Sequence, residues 1–173
     1  RVVASRLRKN LAKKYLIARV GGDEFSVLCP AIRDVDELVT TANKLIKVLG
    51  EPISFEDVNC TVGCSIGIAT AQPNEQDFER LFKDADIALY AAKNNGRNQC
   101  KIITDRMRSE FVLKERATKE IREGIEKRQF VPFFQPQINS ETGNIIGVEC
   151  LARWIKPRGI FSPNAEFVSL AEE

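Results

Sequence analysis

The sequence predicts an α/β domain that gives way, past residue 104, to a connecting helix and the opening of a second domain. Three observations carry that prediction. β-prone runs alternate with amphipathic helical runs through residue 104, the pattern of helices laid on a sheet. A glycine-led turn joins two of the β-prone runs. A long charged segment with a thin apolar seam then follows, and after it the β pattern resumes.

In order along the chain, residues 2–13 carry Val3, Leu7 and Leu11 at four-residue intervals among Arg and Lys, an amphipathic helix. Runs 15–20 and 25–29 flank Gly21-Gly22-Asp23-Glu24 and form a hairpin. Asp34 caps a helix over 35–49, whose Leu38, Ala42, Leu45 and Leu49 face inward and which Gly50 and Pro52 end. Residues 58–70 read as one strand of small and β-branched residues, in which Gly63 and Gly67 mark close approach of another backbone or a bulge. Residues 76–94 are helical through Phe78, Leu81, Phe82, Ala85, Ala88, Leu89 and Ala92, with Asn95-Gly96 as the stop and a strand at 100–103. The connector spans 105–128, its seam made by Met107, Phe111, Ile121 and Ile125. A second hairpin pairs 130–138 with 145–154 across a longer loop, and Ser162-Pro163 opens a final helix. The domains expected are therefore 1–104, the connector 105–128, and 129–173, with the boundary inside the connector near residue 110.

Composition narrows the function. The chain of 173 residues is 43% hydrophobic and 29% charged, ordinary values for a soluble domain. Its 26 basic and 24 acidic residues are dispersed, so no nucleic acid polymer is expected as partner, and any nucleotide must be gripped by a local site. No histidine is present, which removes Ser/His/Asp and Cys/His catalysis and His-ligated metals. The five cysteines, at 29, 60, 64, 100 and 150, form no CxxC pair and read as reduced, mostly buried thiols of a cytoplasmic protein. No run approaches the roughly 20 apolar residues of a membrane-spanning helix. The chain opens on Arg-Val-Val-Ala-Ser-Arg-Leu, the inside of a helix, and is expected to be part of a longer protein whose membrane or sensory segments lie elsewhere.

Two strings carry chemistry. In Gly21-Gly22-Asp23-Glu24-Phe25 the glycines let a phosphate or base approach the backbone, and adjacent acids can hold a hard cation such as Mg²⁺. The same string is also an ordinary hairpin turn. In Asp84-Ala85-Asp86 through Asn98, Lys93 and Arg97 stand four apart at a helix end, where two cations can clamp a triphosphate. Alone, such a pair is usually a solvated face or a partner of the helix dipole at a C-terminus.

Together with Arg19-Val20 and Cys64-Ser65-Ile66-Gly67-Ile68-Ala69, these strings resemble the GGDEF family of diguanylate cyclases over residues 1 to about 104. The resemblance implies the α+β sandwich of the nucleotidyl-cyclase type, here lacking its N-terminal strand, and condensation of two GTP to cyclic di-GMP across a homodimer. It implies Asp23 as metal ligand and catalytic carboxylate, with Glu24 assisting at the Mg²⁺ or Mn²⁺. Gly21 and Gly22 line the nucleotide, and Lys93 and Arg97 hold its phosphates. A further metal-binding Asp and the guanine-reading Asn and Asp belong before Arg1. The family's Arg-x-x-Asp product-inhibition motif falls on Ala12 and Tyr15, so feedback through it is not expected. With a strand lacking, an exposed sheet edge invites self-association.

Residues 130–173 resemble the start of the EAL phosphodiesterase family. Phe134-Gln135-Pro136, Thr142-Gly143, Ile146-Gly147-Val148-Glu149-Cys150-Leu151-Ala152-Arg153-Trp154 and the run from Pro163 carry the likeness. It implies the first hairpin and helix of a (β/α)₈-type barrel, which needs about 250 residues, hydrolysing cyclic di-GMP with two divalent metals. Glu149 maps to a metal ligand, and Gln135 and Arg153 to substrate contacts. The signature triplet reads Glu-Cys-Leu and keeps the acid. Read without the family, Glu149 and Arg153 are an exposed pair on a hairpin.

The expected function is thus cyclic di-GMP turnover by the longer protein, with this piece inactive by itself. The alternative is a GTP-sensing first domain that controls an active phosphodiesterase through the 105–128 helix.

Overall fold

The structure, a computed structural model, describes residues 1–32, 34–56, 58–71, 77–157, 160–162 and 167–168. The chain divides into two compact units, Arg1–Arg108 and Ser109–Glu173.

The first unit runs α1 (Val2–Asn10), β1 (Leu16–Gly21), β2 (Glu24–Leu28), α2 (Val35–Leu49), β3 (Ile53–Phe55), β4 (Val58–Cys60), β5 (Ile66–Ile68), α3 (Phe78–Asn94) and β6 (Cys100–Ile102). Its strands pair as the β1–β2 and β3–β4 hairpins, both antiparallel, and as parallel β5–β6. Leu7 of α1, its C-cap Leu11, and Leu45 and Leu49 of α2 form a core with Tyr15, onto which Ile17, Phe25 and Val27 of the first hairpin pack. Alternation explains that set, since Ile17 stands opposite Val27 and Arg19 opposite Phe25 in the hairpin register.

Capping follows the sequence closely. The Asp34 carboxylate accepts the Asp36 N–H at 2.9 Å and starts α2; Asp77 accepts Arg80 N–H at 2.9 Å and starts α3. At the far end of α2 the carbonyls of Leu49, Glu51 and Pro52 accept from the Arg6 guanidinium at 3.2, 2.6 and 2.8 Å. A cation thus satisfies the open Leu49 carbonyl at the helix C-terminus and two carbonyls of the segment that follows it.

Gly67 is where the layers touch most closely. A Cβ there would lie 2.0 Å from the Ala85 carbonyl oxygen and 2.3 Å from the Leu89 nitrogen, so the α3 backbone rests directly on β5. Gly63 is not such a point: its nearest neighbour, the Asn98 side chain, would be at an ordinary 3.6 Å.

Several expectations are corrected. The strand expected over 58–70 is two short strands, β4 pairing back to β3 and β5 pairing with β6, because residues 61–65 leave the ladder. Helix α1 stops at Asn10, not 13, where its C-cap Leu11 turns extended. Phe78 and Phe82, placed on the inner face of α3, are 68% and 54% exposed; Asp84, Ile87, Ala88 and Ala92 are the buried residues. Among the cysteines none is fully buried: Cys60 and Cys150 are exposed, the other three half-buried, and all five are free.

The second unit takes up α4 (Asp105–Glu126), whose first residues belong to the first unit, then β7 (Phe130–Ile138), β8 (Ile145–Lys156) and β9 (Ile160–Ser162). The β7–β8 loop is an Asx turn: Asn139 Oδ1 accepts the N–H groups of Glu141 and Thr142 at 2.8 and 2.9 Å. Strand β9, unforeseen in the sequence, pairs antiparallel with the end of β8 and includes Ser162. The final helix expected from Ser162-Pro163 lies largely outside the described residues. The core joins Ile121, Trp154 and Phe167, with Phe130 stacked on Trp154 at 5.1 Å between ring centroids. The expected seam of α4 holds at Ile121, buried, and at Met107 and Phe111, half-buried, but not at Ile125, which is 61% exposed while Gly124 is buried. A Cβ on Gly124 would stand 2.9 Å from the Trp154 indole nitrogen, so the aromatic rings take the space a side chain would need.

Gly67→Ala should destabilise the first unit by about 3 kcal/mol, because a backbone-on-backbone clash cannot be relieved by a rotamer change; urea unfolding followed by far-UV circular dichroism measures it. Burial pushes the thiols of Cys64 and Cys29 above their ordinary range, the charge of Glu37 adding to the second. Less thiolate means slower alkylation, so iodoacetamide should modify the exposed Cys60 and Cys150 first, as peptide mass mapping over time would record.

Candidate functional site

The Gly-Gly-Asp-Glu string forms the tip of the β1–β2 hairpin. Gly21 pairs with Glu24, the register slips between Arg19 and Gly21, and Gly22 sits at φ 45°. The slip is a bulge at Val20 that re-aims the tip. Arg19 folds back over the turn and donates to the Gly22 carbonyl from Nε at 3.0 Å and from Nη2 at 2.5 Å. A Cβ on Gly21 or Gly22 would meet nothing within 4 Å, so open space surrounds the backbone there. Asp23 and Glu24 are both exposed.

The cationic end of α3 reaches this tip. Lys93 Nζ lies 3.7 Å from Glu24 Oε1, both side chains about half exposed. An exposed pair of that kind contributes about 0–1 kcal/mol, so its value here is positional: it marks the α3 end and the hairpin tip as neighbours. Arg97 follows in the loop after α3, exposed, at φ 59°. Gly21, Gly22, Glu24 and Lys93 thus meet in one place. Among the described residues no group of three or more His, Cys, Asp or Glu could hold a metal ion. The donor set present, two adjacent exposed carboxylates, suits a hard divalent cation but supplies only part of its usual oxygen shell.

Residues with structural roles around the site went unassigned in the sequence. Asp84 is 8% exposed in α3, and Arg108 grips it with two parallel bonds of 2.9 Å, Nε to Oδ1 and Nη2 to Oδ2. The hydrogen bond to Asp84 is the main cause of a raised Arg108 pKa, and Asp105 at 2.5 Å adds to it. The signal was present: Asp84 falls at helical spacing with Leu81 and Ala88, an acid on an apolar stripe that demands a cation. Arg19, Ser65 and Asn98 gave no such signal, because their partners are backbone groups or come from distant parts of the chain.

In the second unit Gln135 and Glu149 are direct cross-strand partners, as are Val131 and Arg153. Opposed residues share a face, and so do residues two apart. Gln135, Glu149 and Arg153 therefore lie on one face of the β7–β8 hairpin, Arg153 about 13 Å along the strand from Glu149. The Arg153 guanidinium lies 5.7 Å from the Phe133 ring centroid and donates to the Ala152 carbonyl at 3.0 Å. The opposite face carries Phe130 and Trp154 into the core.

An α/β domain with a glycine–carboxylate hairpin tip beside a cationic helix end, followed by the hairpin of a second domain, defines a tandem two-domain arrangement. The diguanylate cyclase GGDEF domain family matches residues 1–99 and the EAL domain family matches residues 118–173. The chain belongs to the GGDEF family, continued by the start of an EAL domain. It is 36% identical over 172 residues to the bifunctional diguanylate cyclase/cyclic di-GMP phosphodiesterase MucR of Pseudomonas aeruginosa, covering 99% of this chain and 25% of MucR. The chain spans between 21% and 29% of the length of the curated relatives it matches. Among solved structures, the GGDEF domain of PA1120 (TpbB or YfiN) from Pseudomonas aeruginosa superposes with a TM-score of 0.55 at 33% identity, covering 64% of each chain. The GGDEF domain of DgcB from Caulobacter crescentus, solved in complex with c-di-GMP, gives 0.51 at 29% identity, covering 58% of this chain and 60% of that one. No helix among the described residues is long and apolar enough to cross a membrane.

Asp84→Ala should cost about 2 kcal/mol, between the roughly 3–5 of a broken buried pair and the roughly 0–1 of a surface one, since Asp84 is 11% and Arg108 32% exposed at the side chain. Chemical denaturation measures this, and a loss below about 0.5 kcal/mol would mark the pair as solvent-screened.

Proposed function

We propose that the protein carrying this chain turns over cyclic di-GMP, its first domain joining two GTP molecules and its second opening the product. The observation that carries this reading is the meeting of the hairpin tip and the α3 end, recorded by the Glu24–Lys93 pair. Carboxylates that can hold a divalent cation and cations that can hold phosphates then face one nucleotide. In this reading Asp23 and Glu24 bind Mg²⁺ or Mn²⁺ with oxygen donors from outside the described residues, and Lys93 and Arg97 hold the triphosphate. The open backbone at Gly21 and Gly22 admits the nucleotide. A divalent cation held by Asp23 and Glu24 would supply Lewis acidity toward the attacking ribose hydroxyl and positive charge toward the phosphate from which pyrophosphate departs. Two such sites facing each other in a homodimer make the two phosphodiester bonds. In the second domain, Glu149 contributes to a divalent site and Gln135 and Arg153 contact cyclic di-GMP.

A second reading makes the first domain a GTP sensor acting on the phosphodiesterase. It is favoured by α4, one unbroken helix whose residue Arg108 is locked to Asp84 and whose Ile121 and Gly124 pack on Trp154.

The test uses the full-length protein with Mg²⁺, given either GTP or cyclic di-GMP, with products separated by chromatography. Cyclic di-GMP should form from GTP, and Asp23→Ala should reduce it at least about a hundredfold, the scale of losing one preorganised contact at a reacting centre. Hydrolysis alone, accelerated by GTP and without synthesis, would overturn the first reading in favour of the second.

A further inference from the structure

Helix α3 ends in a loop with an uncommon backbone. Gly96, Arg97 and Asn98 are three consecutive left-handed residues, with φ of 100°, 59° and 46°. Glycine enters that region freely and asparagine tolerates it, but arginine, with a Cβ and a long side chain, does not favour it. A strained residue of this sort persists only where its surroundings over-determine it, and such residues gather at functional sites.

The surroundings here are specific. The Arg97 N–H donates to the Ala92 carbonyl at 3.1 Å, tying the loop to the last turn of α3. Asn98 is held twice by the two residues that precede β5: its backbone N–H donates to Ser65 Oγ at 3.1 Å, and its Oδ1 accepts the Cys64 N–H at 3.2 Å. Next in the chain, Gln99 Nε2 donates to the Ala92 carbonyl at 3.3 Å, and the Gln99 carbonyl accepts the Ile66 N–H at 2.9 Å. Arg97 is therefore bracketed, by α3 on one side and by the entry to β5 on the other. The β5 side is itself immobilised under α3 through Gly67.

We propose that Ser65 and Asn98 are positioning residues for nucleotide binding: their paired hydrogen bonds hold Arg97 in the left-handed conformation that fits its guanidinium to the phosphates of GTP. This rests on the reading of Arg97 given above. If the clasp is removed, Arg97 can relax into the common right-handed or extended regions, the chain direction at residue 97 changes, and the phosphate contact is lost. The nucleoside part of the ligand does not depend on it. The clasp thus acts on affinity for the triphosphate and not on affinity for the nucleoside monophosphate.

The experiment titrates the full-length protein, with Mg²⁺ present, with GTP and separately with GMP by calorimetry. Asn98→Gly keeps the left-handed freedom and deletes the side-chain acceptor; Ser65→Ala deletes the other half; Ser65→Thr restores a hydroxyl. Asn98→Gly and Ser65→Ala should each weaken GTP binding about tenfold, the scale of one hydrogen bond to a charged group, and leave GMP binding unchanged. Ser65→Thr should restore GTP binding. In an Arg97→Ala background Asn98→Gly should add nothing further, because a residue that acts through another loses its effect when that other is gone. GTP and GMP binding falling together, or the Asn98→Gly loss persisting in the Arg97→Ala background, would show a general structural role and overturn the proposal. So would unchanged GTP binding in both clasp variants when Arg97→Ala weakens it. Unchanged GTP binding in Arg97→Ala itself would instead remove Arg97 from the phosphate site, and with it the reading on which the proposal rests. If Asn98→Gly fails to fold, Ser65→Ala and Ser65→Thr carry the comparison.

Discussion

The direct seating of α3 on β5 underlies the arrangement of the first unit. Where two backbones approach so closely that a Cβ would fall 2.0 Å from a carbonyl oxygen, only glycine can occupy the strand position. That contact sets the height of α3 over the strand, and with it the place of everything α3 carries. Lys93 in its last turn arrives beside Glu24 of the hairpin tip, and the loop beyond closes back onto Ser65 and Cys64 just before β5. Lifting the helix by one methyl group would disturb the Lys93 position and the loop geometry together.

The ion pairs of this unit differ in kind. Lys93 and Glu24 are solvated, so their attraction is screened and their separation cheap. Asp84 and Arg108 are largely withdrawn from water and joined by two parallel bonds, so parting them leaves a buried carboxylate with only the 4.0 Å contact to Arg80 among the described residues. The first pair parts at little cost. The second fixes the start of α4 to α3 and is built to stay closed.

The second unit shows a different economy. Its hairpin divides its residues by alternation: Phe130 and Trp154 go to a small aromatic core closed by Phe167, while Gln135, Glu149 and Arg153 share the other face. Gly124 lets α4 come against the indole, whose N–H donates to the Gln129 side chain at 3.1 Å, and Lys156 lies 4.2 Å above the Trp154 ring. Phe134, Ile145, Ile146 and Val148 are nevertheless well exposed. In a strand hairpin both faces need cover before all such side chains leave water.

By itself the sequence determined what depends on neighbours in the chain. Among the described residues the 3.6 and 2.0 periodicities placed α1 to α4 and the β1–β2 and β7–β8 hairpins, Asp34 announced its helix, and the glycine–carboxylate tip and the Lys93/Arg97 spacing located the candidate site and the family, because turn chemistry and helical spacing are local. Only the tertiary structure decided what depends on distant partners. The 58–70 run divided because β4 pairs backward with β3 while β5 pairs forward with β6, a competition between ladders that no local propensity resolves. Phe78, Phe82 and Ile125 faced outward although their spacing is helical, since which side of an amphipathic stripe is covered depends on the layer laid against it. The bond from Asn98 to Ser65, and that from Arg108 to Asp84, join residues tens of positions apart, and hydrogen bonds of that separation are set by the fold that brings their atoms within reach.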